Sequence, residues 1–226
     1  IDTTTEEGPY FDIDHIPSST DDLNVGEKER KKISITGLTK WYKAKLQSGK
    51  ETGFTIPTTY HDLPVYDLKE NAFNFTGASY TVQFENGVEI IEKNVFNKNA
   101  LQNKQLILPT TLKQLGDGNF SEMPFEKVDI QSNFSCNTPF NQSLVKDIIV
   151  KNTSIVPANV FFHTANIQNV SFSDDVAEIG SQAFSYTSIN TIDFNKVISI
   201  DTSAFETTTL HDVNLPNTVS LIGMDA

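Results

Sequence analysis

The sequence predicts a β-rich solenoid, with parallel strands on one face and short turns or 3-10 segments on the other. A phenylalanine returns in successive steps of 23, 24, 20, 21, 23 and 21 residues. Apolar and polar residues alternate before each of these positions, as in a strand with one buried face. The recurring residues are Phe73, Phe96, Phe120, Phe140, Phe161, Phe184 and Phe205. Units this short cannot bury their own apolar sides, so they must stack on one another.

Each repeating unit contains the same parts in the same order. An alternating pair such as Val170 and Phe172 predicts a strand. A tight turn follows, marked by a proline such as Pro109 or by the pair Asp174-Asp175. An apolar residue and a glycine or polar residue, as in Ile179-Gly180, then precede the phenylalanine. We therefore expect the recurring phenylalanines to form one buried structural column between neighbouring turns.

The first residues differ from the repeats. Residues 1–32 are acidic and carry no repeat anchor, and we interpret them as a tether or an edge-covering segment. Four apolar side chains in this segment can pack against the first repeat: Tyr10, Phe11, Ile13 and Ile16. Residues 33–53 read as a strand followed by a short helical or turn segment with Trp41, which predicts an N-terminal cap. Repeats of about 20–24 residues then fill 54–226, and the array is expected to be truncated at the C-terminus.

The repeated pattern resembles a known family. The stretches 106–116, 170–180 and 213–223 follow the pattern Leu-x-x-Val-x-Leu-Pro-x-x-Val-x-x-Ile-Gly-x-x-Ala-Phe, which is similar to BspA-like leucine-rich repeats of bacterial surfaces and some protists. Residues 54–73 resemble that family's usual first repeat, with its Tyr-x-x-x-Pro-Val insertion. The family often has cysteine three residues after the phenylalanine, whereas here that position is Thr76, Thr164, Thr187 and Thr208, or another residue. The resemblance implies a leucine-rich repeat fold and adhesion to host or matrix proteins or to other cells.

Composition excludes several classes of partner. The net charge of −12 and the pI near 4.7 argue against nucleic acid and against an anionic membrane, since both need clustered lysine and arginine. Cys136 is the only cysteine, so no internal disulfide is expected. No stretch approaches the ~18 apolar residues of a spanning helix, so we expect no direct membrane insertion by this chain. The chain begins at Ile1 without a signal peptide, and we interpret it as mature or trimmed.

No catalytic, metal or cofactor pattern emerges from the sequence. Cys136 and His163 fall in adjacent units with no third group to orient them, so a thiol–imidazole pair is not favoured. The histidines are scattered singly, without metal-ligand spacing. No glycine-rich loop that could cradle a phosphate is present. We therefore expect no enzyme, no metal and no cofactor.

Stacked strands would expose columns of outward side chains, and these form the candidate ligand face. The main column contains Gln83, Ile107, Asp129, Ile149, Ser171, Asp193 and Asn214. Ile107 and Ile149 are expected to be exposed aliphatic residues two repeats apart. The column has no aromatic residue, which disfavours a glycan binder. Its acidic residues lie too far apart for a glycosidase pair.

These observations predict a non-enzymatic binding or adhesion module at the cell surface or outside the cell. Its partner would be an extracellular or host protein. The alternative is a structural spacer that carries another domain away from the surface. The sequence also stops just before the next expected phenylalanine, so we expect an uncovered C-terminal edge through which the chain could self-associate.

Overall fold

The computed structural model describes residues 9–16 and 32–226, which form a parallel β-solenoid with one short helix. The solenoid predicted from the repeats is confirmed. The elements are β1 (Phe11–Ile16), β2 (Lys32–Leu38), α1 (Lys40–Gln47), β3 (Gly53–Ile56), β4 (Thr59–Tyr60), β5 (Leu63–Leu68), β6 (Thr81–Phe84), β7 (Ile90–Ile91), β8 (Gln105–Ile107), β9 (Gln114–Leu115), β10 (Lys127–Ile130), β11 (Ser135–Cys136), β12 (Asp147–Val150), β13 (Ile155–Val156), β14 (Asn169–Phe172), β15 (Glu178–Ile179), β16 (Ser199–Ile200) and β17 (Leu221–Ile222).

The longer strands of successive coils form one side of the solenoid, which we call the long-strand face. There β8, β10, β12 and β14 form a four-stranded parallel sheet, while β3 and β6 form a separate pair. The register places Lys127 opposite both Gln105 and Asp147. Equivalent residues of each repeat therefore lie side by side, because the spacing along the chain sets the register.

The second side, the short-strand face, has six- or seven-residue strands at its N-terminal end (β1, β2 and β5) and two-residue strands in the later coils. One sheet runs in the order β1-β2-β5-β7-β9-β11, and a second in the order β13-β15-β16-β17. In each coil one residue of the short strand faces the core. Leu115 and Cys136 are two such residues, and they lie opposite each other in the ladder. In the described residues these return segments contain two-residue strands and turns, and no 3-10 helix.

The recurring phenylalanines lie in turns on the third side, the turn face. All seven are buried, and neighbouring rings are stacked or tilted with centroids 5.3–5.6 Å apart. The backbone N–H of each turn donates to a carbonyl of the next coil, as from Phe161 to Ala183 and from Phe184 to Ala204. Aromatic stacking and these hydrogen bonds together join successive coils along this side.

Glycines stand where two coils come closest together. A Cβ added at Gly180 would lie 2.7 Å from the Ala158 nitrogen and 2.8 Å from the Val156 oxygen. Both are backbone atoms of the preceding coil, so they cannot move aside as a flexible side chain would. The repeated Ile-Gly pair thus has a packing reason: the glycine lets the two backbones approach.

The N-terminal residues cover the first coil. β1 pairs antiparallel with β2, and Phe11 packs edge-on against Phe54 and Phe73. Helix α1 follows β2, and the Thr39 side chain caps it by accepting a hydrogen bond from the Tyr42 N–H. Residues 1–8 and 17–31, which make up most of the expected tether, lie outside the described residues.

The last two coils differ from the expected pattern on the long-strand face. The alternating pairs Ile192/Phe194 and Val213/Leu215 predict strands with one buried face, but the structure has no strand at either pair. Asp212 has a left-handed backbone with φ of 52°, which is incompatible with a strand, and the Asp193 carboxylate accepts the Asn195 N–H in a local turn. Val213 and Leu215, expected to face the core, are exposed.

Candidate ligand face

The structure places most of the predicted ligand column on the long-strand face. Gln83, Ser171, Asp193 and Asn214 are exposed there, and Ile107 is the exposed aliphatic residue that the sequence predicts. Ile149 is only half-buried rather than fully exposed. The predicted column therefore presents amides, a hydroxyl, the Asp193 carboxylate and one clearly exposed aliphatic side chain.

Asp129 is buried, contrary to its predicted place on the exposed ligand column. Its side chain was expected to be exposed, but it is 2% exposed. One carboxylate oxygen accepts a hydrogen bond from Lys151 Nζ at 2.9 Å, and the other accepts one from Gln105 Nε2 at 3.2 Å. The longer lysine and glutamine side chains of the two neighbouring coils fold over it. Asp129 thus ties three coils together and is not available to a ligand.

A cleft interrupts the long-strand face between β6 and β8. No ladder joins these two strands, although both lie on the same side of adjacent coils. The volume of the cleft is about 410 Å³.

 Its lining residues are Val82, Gln83, Phe84, Asn103, Gln105 and Ile107. Two members of the predicted column, Gln83 and Ile107, therefore lie on opposite walls of one cleft.

Asn103 explains why the cleft forms. It stands in register with apolar core residues of the following coils: Phe125, Val145, Ile167 and Ile189. A buried amide needs hydrogen-bond partners. Asn103 Oδ1 accepts from the Val82 N–H at 2.8 Å, and its Nδ2 donates to the Val82 carbonyl at 2.7 Å. The side chain of Asn103 thus satisfies backbone groups that a neighbouring strand would otherwise satisfy.

Asn103 lies outside the predicted column, although the sequence contains a signal for it. An asparagine at a position that is apolar in four later units breaks the core pattern. Sequence spacing alone does not show which backbone groups the amide would reach. Only the packed coils bring it against Val82.

A second cleft lies at the other end of the same sheet. It has a volume of about 340 Å³ and lies between β14 and the irregular segment that follows. Asp193 of the predicted column lines it, together with Asn169 and Thr191. The four-stranded sheet is thus bordered by one cleft on each side, and both contain amide or hydroxyl groups.

The short-strand face has a different character, since charged side chains of adjacent coils pair across it. Lys69 Nζ lies 2.8 Å from Asp67 and 2.9 Å from Glu92. Burial raises the pKa of Glu92, but hydrogen bonds from Lys69 and from the Glu70 N–H outweigh burial and hold that pKa below its ordinary value. These side chains stabilise one another and leave few unpaired charges for a partner.

Cys136 and His163 do not form a catalytic pair. The Cys136 thiol donates a hydrogen bond to the Ala158 carbonyl at 3.2 Å, and burial raises its pKa to about 12. A thiol with that pKa is not a nucleophile at neutral pH. His163 instead stacks on Tyr186 on the turn face.

Within residues 9–16 and 32–226, no group of three or more histidine, cysteine, aspartate or glutamate side chains is placed to hold a metal ion. Over the same residues, no helix has the length and apolar character needed to cross a membrane.

Comparison with known proteins identifies the family. Residues 66–140 and 136–226 match the BspA type leucine rich repeat region, in 6 copies. A leucine-rich repeat protein from Bacteroides ovatus ATCC 8483 is similar at 16% identity and a TM-score of 0.48, over 93% of this chain and 89% of that chain. A leucine rich cell surface protein from Faecalibacterium prausnitzii A2-165 is similar at 18% identity and a TM-score of 0.36, over 85% of this chain and 46% of that chain. A search of curated proteins finds no match. The family match covers more than half of the sequence and confirms the resemblance: the chain belongs to the BspA-type leucine-rich repeat family.

Proposed function

We propose that the chain is a non-enzymatic binding module, displayed at the cell surface or outside the cell, that presents its long-strand face to an extracellular or host protein. The cleft between β6 and β8 carries this proposal. It combines an exposed aliphatic side chain, Ile107, with the amides of Gln83 and Gln105. An apolar contact surrounded by a few hydrogen-bonding groups is the usual composition of a protein binding site.

Family membership and the charge distribution support the same face. Extended repeat surfaces are commonly used for macromolecular binding. The ion pairs of Lys69 occupy the short-strand face, whereas the cleft between β6 and β8 is lined by uncharged side chains and the second cleft has Asp193 as its one charged lining residue. Uncharged donors and acceptors can form hydrogen bonds with a partner without the free-energy cost of removing an ion pair from water.

A pair of matched variants tests the proposal. Ile107 on the long-strand face and Ile198 on the short-strand side are each 47% exposed. The wild type is first tested by surface plasmon resonance against purified fibronectin, laminin and collagen. We expect Ile107→Asp to weaken binding to whichever of these proteins the wild type binds. Ile198→Asp should bind like the wild type, since it introduces the same charge away from the proposed face.

The spacer alternative predicts a different result. A correctly folded chain that binds no member of the panel, or equal binding by both variants, would argue against the long-strand face as the binding surface. Melting temperatures of the two variants provide the control for folding, because exposed substitutions usually change stability by no more than about 0.5 kcal/mol.

A further inference from the structure

Three aromatic residues form a cluster on the turn face, away from the proposed protein-binding face. The His163 and Tyr186 rings are stacked, with centroids 4.5 Å apart and planes within 10° of each other. Phe162 packs edge-on against both rings, at 4.6 Å from His163 and 5.5 Å from Tyr186. Tyr186 is 40% exposed. These rings lie outside the predicted ligand column, which contains no aromatic residue.

His163 and Tyr186 occupy equivalent positions in successive coils, two residues after a phenylalanine of the buried column. Both have a left-handed backbone with φ of 57°. Bulky side chains rarely adopt this conformation. Neighbouring coils have Gln142 and Thr207 at the same position, also left-handed. The turn geometry therefore does not require an aromatic residue at this position. It does not explain why His163 and Tyr186 lie side by side in successive coils.

The ring stack stops at Tyr186. The Tyr186 N–H donates to the Glu206 carbonyl, which places Thr207 of the next coil beside the ring. Threonine carries no ring and cannot continue the stack. Among the described residues no second ring stacks on Tyr186, and its side chain is 40% exposed.

Phe75 occupies the equivalent position of the first coil, and there the ring contributes to core packing. Phe75 stacks on the buried Tyr80, with centroids 5.2 Å apart and planes within 14°. Phe75 thus belongs to the packing of the first coil. Tyr186 has no buried aromatic partner: its two ring contacts are with Phe162 and His163, which are themselves outside the core.

We propose that Tyr186 binds a neutral saccharide, with a β-linked pyranose ring stacked on its open face above Thr207. The faces of aromatic rings carry negative charge density, and the axial C–H groups of a β-linked glucose-type pyranose form a flat, slightly positive surface that matches it. The saccharide would occupy the place in the stack that a ring at position 207 would fill.

The surrounding residues favour a neutral sugar over other planar ligands. The turns that carry the cluster and the next coil, 159–166, 181–188 and 203–209, contain no lysine or arginine, so they offer no cation for a phosphate or carboxylate. They contain hydroxyl and amide side chains instead, which can pair with sugar hydroxyls. A proline-rich peptide also stacks on tyrosine but is held in grooves lined by several aromatic residues. Here one ring face is open.

Two opposite substitutions test the site. Tyr186→Thr removes the ring and reproduces the residue found at position 207. Thr207→Tyr keeps the ring at 186 but covers its open face by extending the stack. We expect each variant to weaken binding of a β-1,4-linked N-acetylglucosamine hexasaccharide or of cellohexaose at least about tenfold, measured by isothermal titration calorimetry. Tyr66→Thr, a half-buried tyrosine on the short-strand face, should bind like the wild type.

Each outcome decides for or against the proposal. Loss of saccharide binding in both variants, with melting temperatures close to that of the wild type, supports it. No detectable binding of either saccharide by the wild type overturns it, as does unchanged binding by Thr207→Tyr. Binding of decaproline instead of the saccharides would also overturn it, because it would assign the ring to a peptide. Ile107→Asp should leave saccharide binding unchanged, so failure here is distinguishable from failure of the proposed function.

Discussion

Truncation of one ring of the buried column should destabilise the solenoid strongly. Phe161 is fully buried, and its ring lies between those of Phe140 and Phe184, at 5.3 and 5.6 Å. Phe161→Ala leaves a cavity with rings on both sides. Truncations of buried phenylalanine cost about 3–5 kcal/mol, and each lost aromatic pair contributes about 0.5–1.5 kcal/mol beyond the buried area. With two pairs lost, we expect a cost of about 4–5 kcal/mol.

The neighbouring residue supplies a matched control. Phe162 is only half-buried, so Phe162→Ala should cost about 1–2 kcal/mol. For a chain of this length, each kcal/mol lowers the melting temperature by about 2–4 °C. Phe161→Ala should therefore melt about 8–20 °C below the wild type in thermal circular dichroism.

Hydrogen exchange shows how far the damage spreads. Solenoid stability depends on interfaces between nearest neighbours, so the turns of Phe140 and Phe184 should also lose protection in Phe161→Ala. The reasoning is refuted if Phe161→Ala melts at the same temperature as the wild type or no lower than Phe162→Ala. Either result would mean that the stacked rings do not hold the coils together.

Three further predictions concern charge and the C-terminal edge. Charge reversal at Asp129 should cost about 2–3 kcal/mol, because it breaks a buried pair with the partly exposed Lys151, whereas reversal at Asp193 should cost no more than about 0.5 kcal/mol. Urea denaturation of the two variants measures the difference, and equal costs would contradict the buried pairing. The lowered pKa of Glu92 means that its contribution to stability is present above about pH 4.5 and is lost as the pH falls through the folded-state pKa. Glu92→Gln should therefore lose less stability than the wild type between pH 6 and pH 3, and parallel pH profiles would count against this. Leu221 is exposed on the edge strand β17, so we expect this chain to associate at high concentration and Leu221→Ser to reduce association in analytical ultracentrifugation; a wild type that stays monomeric would exclude such contacts.

The repeat made the architecture predictable from the sequence. A phenylalanine in every unit, such as Phe161, is a strong signal because it recurs in phase with the strand pattern. The Ile-Gly pair ending in Gly180 recurs in the same phase. Local patterns of this kind determine which side of a coil faces the core, because a solenoid contacts only its immediate neighbours.

The strand pattern predicts the exposure of the candidate ligand column only in part, for a physical reason. Alternation along a strand shows which side chains point outward, and Gln83 and Ile107 follow it. It does not show which outward side chains are covered by longer neighbours. Lys151 and Gln105 bury Asp129 from the adjacent coils, and their rotamers are not fixed by the repeat.

The sequence by itself determined the stacked coils, the buried ring column and the family, because these depend on residues repeated at a constant interval. The tertiary structure alone decided the features that depend on departures from the repeat. The Asn103 amide opens a cleft only because packing brings it to the backbone of Val82. The ring stack of His163 and Tyr186 ends at Tyr186 because the next coil has Thr207 at the equivalent position. Such sites arise from contacts between unlike residues in neighbouring coils, which no single repeat contains.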